Sequence, residues 1–561
     1  MSTSSTVPVY EALAHDIKEA GIECVFGLMS DDTAMFVSTL DGMGVRFYGA
    51  RHENNAITMA EGYAAATGKL GIAILGRGPA TANALHGSVY TLRTGSPVLL
   101  VYGEASWGIK APNDFGPDTK GFNATGVLNA AGLRTFVTTS ADAARQTLAT
   151  AMTAAHHGAV ALLLPTNVQQ SQVSYSTDSR PSVNSPQTKR QAARDVALQA
   201  AVQILSKSRK PLIIAGVGAY RSGAKEALMA LADKLGAGLA TTARGKDLFH
   251  GHPLDAGIVG SFSTAKGRRV IEQADCLIVF GGGLNQRTTS FGHALPSGIP
   301  LIHVDSVREN IGRWYPADLA IAADAKLCAE QLLNALPERD ASDKPLHAPE
   351  FLKILASFDM ANDFQAVHTP RTVDARSAAL VLDALLPANR NVVYDSGNFL
   401  QILPYFSVQG PGHWKMANDF SSIGMGFGAA MGFARGTPDR PTVFFVGDGS
   451  FLMNLGELET VAREDIPLII VVMNDCAYGA ELHFLKLRDM PVAKSVFPDV
   501  DFAPIAEAFG FTTATVRSLD DLKALAPLLA NPSGPILIDC KMTASVAAPF
   551  LSEGPGHGPQ K

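Results

Sequence analysis

The chain has 561 residues, a formal net charge of −6, 47% hydrophobic and 17% charged residues. At roughly 100–200 residues per domain, that length predicts three or four domains with full cores. The acidic balance and the lack of a basic block exclude nucleic acid and anionic membrane as expected partners, and no apolar run of about 18 residues is present to cross a bilayer.

The first residues, "MSTSSTVPVYEALAHDI", lack a basic start followed by an apolar run, so no secretory signal is expected. Cys24, Cys276, Cys328, Cys476 and Cys540 are scattered without CxxC spacing. Reduced thiols in a cytoplasmic protein follow, rather than a disulfide framework or a zinc site.

Two polar, Pro- and Ser-containing stretches, 171–191 and 337–349, read as linkers. They divide the chain into domains expected at 8–170, 190–336 and 370–545. The first holds candidate strands "GIAILG" (71–76), "PVLLVYG" (97–103) and "AVALLLP" (159–165). The second holds "PLIIAGVG" (211–218), "CLIVFGGG" (276–283) and "PLIHVD" (300–305). The third holds "NVVYDSG" (391–397), "TVFFVGDG" (442–449), "PLIIVVMND" (467–475) and "PILIDC" (535–540). Short β-branched runs alternating with Ala-rich helical stretches predict an α/β protein of three parallel-sheet domains. The tail 552–561 reads as mobile.

Ligands of open α/β sheets collect at the carboxyl ends of strands. "VFFVGDGSFLMN" places Asp448 between Gly447 and Gly449 directly after a strand, and "VVMND" ends the next one on Asn474 and Asp475. The reading is a tight turn at Gly447–Gly449, a helix over 455–464, and a second strand beside the first. Both acidic loops then lie at one sheet edge, where such oxygens suit Mg²⁺ or Ca²⁺. The glycines would let backbone N–H groups approach a phosphate. A lone GDG is more often a strand-end turn with a capping Asp; its pairing with N-D is what gives it weight.

"GDGSFLMNLGELETVAREDIPLIIVVMND" resembles the thiamine-diphosphate signature of acetolactate synthase-like enzymes, a superfamily that includes pyruvate decarboxylase and benzaldehyde lyase. The resemblance implies that Asp448, Asp475 and the carbonyl of Ala477 hold the Mg²⁺ that clamps the diphosphate, beside Gly447, Gly449 and Ser450. The family usually carries Asn-Asn where this chain has Asn474-Asp475. The extra carboxylate attracts the cation and repels the phosphates, and Asn474 stands as an alternative ligand.

"FYGARHENNAITMAEGYAAATGKLGIAIL" resembles the pyrimidine-binding domain of the same family and puts Glu53 on its glutamate. A carboxyl group there hydrogen-bonds the aminopyrimidine and helps the cofactor lose its thiazolium proton. The plain alternative is a first-turn Glu complementing the helix dipole. "SSIGMGFGAAMGFARG" (421–436) resembles the segment whose bulky residue, here Met425, props the bent cofactor. The carbonyl of Ile423 and the N–H of Met425 would meet the pyrimidine edge, and Asn398 falls on a diphosphate-contacting position. In this family the two half-sites come from different subunits, so a homodimer or homotetramer with shared active sites is implied. The central block resembles a domain that binds FAD in some members; a purely structural role is the favoured reading.

Asp31 and Glu481 fall on acidic site residues of pyruvate decarboxylases, and His483 is a second candidate proton donor. The His-His pair of those enzymes is missing from 104–120, and Phe122-Asn123-Ala124 keeps only the Phe of the acetolactate synthase Phe-Gln-Glu element. The expectation is a thiamine-diphosphate- and Mg²⁺-dependent lyase, carboligase or decarboxylase acting on a small 2-oxo acid or acyloin. The alternatives are a flavin- or nicotinamide-dependent oxidoreductase and a catalytically retired regulatory relative.

Overall fold

Three parallel six-stranded sheets carry the chain, seen in a computed structural model that describes residues 5–106, 119–176, 180–184, 190–340 and 344–553. In the first sheet, β2 (Cys24–Gly27), β3 (Arg46–Gly49), β4 (Gly71–Leu75), β5 (Val98–Glu104), β6 (Arg134–Val137) and β7 (Val160–Pro165) take the order β3-β2-β4-β5-β7-β6. A small antiparallel pair, β1 (Ser5–Pro8) with β8 (Gln172–Tyr175), closes this domain.

The central sheet holds β9 (Pro211–Ala215), β10 (Gly238–Thr241), β11 (Asp255–Ile258), β12 (Cys276–Phe280), β13 (Leu301–Asp305) and β14 (Leu319–Ala322), in the order β11-β10-β9-β12-β13-β14. This is the doubly wound arrangement whose direction reverses between β9 and β12, where ligands gather. The third sheet holds β15 (Asn391–Tyr394), β16 (Trp414–Met416), β17 (Thr442–Gly447), β18 (Leu468–Asn474), β19 (Thr512–Val516) and β20 (Ile536–Lys541), ordered β16-β15-β17-β18-β20-β19. The first and third sheets thus share one topology and the central sheet has another.

All ten strands expected from the sequence form, because each is a continuous apolar run buried on both faces. The stretch 171–191 is not wholly a linker. Its first residues form β8, with Val173 and Tyr175 turned inward at alternate positions. Within 337–349, Leu346 is 1% exposed and packs into the central domain. The tail reading falls almost wholly on 554–561, outside the described residues. Among the described residues no helix is long and apolar enough to cross a membrane.

The first and third domains share one core. Helix Glu53–Thr67 lies against helix Gly426–Gly436, and small residues let the backbones touch. A Cβ at Gly62 would sit 2.1 Å from the carbonyl oxygen of Ala429, and one at Gly432 would sit 1.9 Å from that of Met59. The GFGAAMG spacing therefore serves close helix contact.

Candidate active site

The carboxyl ends of β15, β17 and β18 form the floor of the site. No separate turn follows β17: the strand ends at Gly447 and a short helix, Asp448–Met453, begins at once. A second helix, Glu457–Arg463, then leads to β18. The expected tight turn is thus a direct strand-to-helix junction, with the amides of Gly449 and Ser450 in the first helical turn. A Cβ on Gly449 would lie 2.6 Å from the Tyr478 ring, so only glycine fits beneath that side chain.

Asp448 and Asp475 meet here, with their carboxyl groups hydrogen-bonded to each other. Burial pushes Asp448 up to about 7. Burial, and then the charge of Asp448, push Asp475 up to about 8. Two carboxyls in a dry site hold a proton between them until a cation takes its place. Among the described residues no three His, Cys, Asp or Glu side chains converge on one point. A bound ion would therefore complete its oxygen shell from the Ala477 carbonyl and from phosphate oxygens, a donor set that fits Mg²⁺.

These groups open into a cavity of about 1780 Å³. Its floor includes Asp448, Asp475, Ala477, Gly447, Gly449 and Ser450; Asn398, Ile423 and Glu481 stand on its walls. The opposite wall belongs to the central domain, at the ends of β9 and β12, with Gly218, Gly281, Gly282 and Gly283. Arg221, Arg244 and Arg287 line that half, together with Asp305. The space exceeds the roughly 300–1,000 Å³ of an ordinary single-ligand pocket.

Comparison with known proteins agrees with this geometry. Residues 8–120 match the family model "Thiamine pyrophosphate enzyme, N-terminal TPP binding domain", 198–332 match its central domain, and 395–540 match its C-terminal TPP binding domain. The chain belongs to the thiamine pyrophosphate enzyme family. A probable acetolactate synthase large subunit of Methanocaldococcus jannaschii is 26% identical over 558 residues, covering 97% of this chain and 93% of the relative. A probable 2-ketoarginine decarboxylase of Pseudomonas aeruginosa is 28% identical over 565 residues, covering 96% and 95%. A sulfoacetaldehyde acetyltransferase of Roseovarius nubinhibens is 27% identical over 548 residues, covering 91% and 88%. The chain is thus an acetolactate synthase-like member of the family, and its cofactor is thiamine diphosphate with a divalent metal such as Mg²⁺.

Five of the residues expected at the thiamine-diphosphate site lie outside this cavity. Glu53 is 8% exposed at the start of its helix, where Asn83 Nδ2 donates to its Oε2 at 3.3 Å. No described residue of the N-terminal domain lines the cavity, so one chain does not bring Glu53 and Asp448 into a common space. Asp31 is exposed and paired with Lys120 at 2.5 Å, which holds its carboxyl below the usual range. Its neighbour Asp32 is the buried acid, bonded by Arg77 Nε at 2.7 Å.

Met425 packs against Tyr90 and Ala417 as a core residue. Asn474 is turned from Asp448 because alternate residues at a strand end face opposite ways. Its amide donates to Asp539 at 2.9 Å and to the Val500 carbonyl at 3.3 Å. Asn474 therefore lies outside the cavity that Asp475 lines. His483 is buried with its ring bonded to the Val546 carbonyl, and burial lowers its pKa. It faces the C-terminal segment rather than the cavity.

Asn398 reaches the cavity wall, but its amide ties the same C-terminal segment. Its Oδ1 accepts from Ala548 N at 2.8 Å and its Nδ2 donates to Val546 O at 2.9 Å. Glu457 and Asp395 are further site-shaping residues that the sequence reading did not single out. Glu457 is 1% exposed and accepts the N–H groups of Arg51 and His52 at 3.0 and 3.1 Å, fixing the entry to the Glu53 helix. Asp395 follows β15 as Asp448 follows β17, so the strand-end logic applied to one would have found the other.

Proposed function

We propose that this enzyme breaks or forms the carbon–carbon bond beside the carbonyl of a small 2-oxo acid or 2-hydroxy ketone. The observation that carries the reading is the convergence of Asp448 and Asp475 on one cavity wall that also presents Glu481. Bound thiamine diphosphate supplies a nucleophilic carbon and an electron sink for the bond being broken. Asp448, Asp475 and the Ala477 carbonyl hold the cation, while the Gly449 and Ser450 amides take phosphate oxygens. Glu481 is exposed to the cavity and gives or takes a proton at the reacting carbonyl.

Glu53 acts from a second copy of the chain. Its own-chain position, sealed from the cavity, supports that reading. The relatives carry the names of a synthase, a decarboxylase and an acetyltransferase. In this reading substrate choice lies in residues around the clamp: Glu481 of the same chain and the Asp31–Asp32 corner of the second copy that supplies Glu53. The test is incubation with thiamine diphosphate, Mg²⁺ and a panel of 2-oxo acids and acyloins, with products read by mass spectrometry. Carbon dioxide release or a new acyloin supports the reading; no product from any member of the panel contradicts it.

A second reading concerns the central half of the cavity. The β11-β10-β9-β12-β13-β14 order puts its switch point at Gly216–Gly218 and Gly281–Gly283, where a nucleotide phosphate would lie. Absorbance of the supernatant after acid release from purified protein distinguishes flavin, a colourless nucleotide and an empty domain.

A further inference from the structure

Asp395 is fully buried and no cationic side chain pairs with it among the described residues. Its Oδ1 accepts Ser396 N–H at 2.7 Å and its Oδ2 accepts Gly424 N–H at 3.0 Å. The Ser450 hydroxyl donates to the same Oδ2, and the Gly426 amide adds a further bond. A Cβ on Gly426 would come within 2.8 Å of the Asp395 Cβ, so the loop is pressed directly onto this side chain.

The donors come from two separate loops. Ser450 belongs to the junction after β17 that faces the diphosphate. Gly424 and Gly426 flank Met425, in the segment that faces the pyrimidine end. Ser450 Oγ lies 2.9 Å from Gly424 N, and Asn454 Nδ2 reaches both Gly424 O at 3.2 Å and Ser450 O at 3.1 Å. The carboxylate and Asn454 therefore rivet the two loops together from beneath. A buried carboxylate satisfied only by neutral donors is costly to keep. Its charge-assisted bonds fix both loops before any ligand arrives.

We propose that Asp395 is a positioning residue that sets the spacing between the diphosphate loop and the pyrimidine loop. It touches neither cofactor nor substrate; it preorganises the two ends of one bent binding site. An Asn in its place keeps the shape but turns an NH₂ group toward donors that need an acceptor. The loops then move independently, and the affinity that comes from holding both cofactor ends at once is lost. The inference rests on the thiamine-diphosphate reading of this site.

The test compares two ligands on the intact oligomer in Mg²⁺ by calorimetry. Inorganic pyrophosphate engages the diphosphate loop alone, whereas thiamine diphosphate engages both loops. Wild type is expected to bind thiamine diphosphate more tightly than pyrophosphate. In Asp395→Asn that preference falls at least about tenfold while pyrophosphate affinity changes little. Amide hydrogen exchange rises in both 421–426 and 447–454. Ser450→Ala, which removes one bond of the rivet, shows a smaller loss of the same preference and serves if Asp395→Asn does not fold. An unchanged preference in both variants, or an equal loss for both ligands, overturns the inference. Wild type without any preference for thiamine diphosphate overturns the cofactor reading itself.

Discussion

Glu61 and Lys415 form a buried ion pair, Nζ to Oε1 at 2.8 Å, that joins the N-terminal domain to the C-terminal domain. Ser96 Oγ donates to the same carboxylate oxygen at 2.7 Å, and Tyr90 OH lies 3.4 Å from the other. Tyr90 in turn packs on Met425, so the pair braces the wall behind the Ile423–Met425 loop. Lys415→Met leaves the Glu61 carboxylate buried without its cation and is expected to cost about 3–5 kcal/mol. Replacing both residues together with Met is expected to cost less than the single change. Unfolding midpoints of the two variants decide this, and equal losses would mean that the pair does not act as a unit.

Gly432→Ala tests the shared core. The added methyl would meet the Met59 carbonyl oxygen at 1.9 Å, and backbone on both sides leaves it no room. Overpacking of this kind costs about 1–3 kcal/mol, here by separating the Glu53 helix from its partner. Thermal unfolding should show the N-terminal and C-terminal domains losing stability together while the central domain is unaffected.

The acidic pair makes a signed pH prediction. Asp448 at about 7 and Asp475 at about 8 hold protons in the metal-free fold that an unfolded chain has already released. The folded state binds more protons, so stability falls as pH rises. The contribution is whole below about pH 4, the unfolded carboxylate value, and is lost as pH climbs through about 7 and 8. Metal-free protein should melt at a higher temperature at pH 6 than at pH 8.5. Mg²⁺ competes with those protons, so its affinity should rise over the same window. Asp475→Asn should flatten both trends; a melting temperature that rises with pH contradicts the assignment.

The sites are expected to be shared between subunits. Glu53→Gln should abolish turnover without loss of fold, and so should Asp448→Asn. Purified hybrids of the two variants should recover up to about half of wild-type turnover, because a two-fold dimer of opposite mutants contains one intact site of two. Co-expressed, differently tagged chains provide the assay. No recovery in hybrids would put the whole site within one chain.

Much of this was legible because the informative segments are local. A continuous apolar run followed by Gly, Asp or Asn announces a buried parallel strand, and every such run formed one. The ten strands missed among the described residues include both edges of each six-stranded sheet: β3, β6, β11, β14, β16 and β19. Edge strands have one neighbour and several exposed positions, so their sequences carry polar residues and no clear run, as in Arg46–Gly49 and Arg134–Val137. Asp448 and Asp475 could be placed from a motif because both sit at the ends of adjacent strands. Side-chain direction was harder. Whether Asn474 or Asp475 faces the cavity depends on where β18 stops, and His483 was displaced by a C-terminal segment that no local pattern predicts to return. Glu457 carries no signal beyond the helix expected over 455–464, because its partners Arg51 and His52 lie some 400 residues away.

The central claim is that Asp448 and Asp475 hold a divalent cation that anchors the diphosphate of thiamine diphosphate. Calorimetric titration of the wild-type oligomer and of Asp448→Asn with thiamine diphosphate, each with Mg²⁺ and with excess chelator, tests it most directly. The account predicts saturable binding by wild type only when Mg²⁺ is present, and at least about a hundredfold weaker binding by the variant, as loss of a buried charged partner would give. Equal binding by both proteins, or binding by wild type that ignores the chelator, would contradict it.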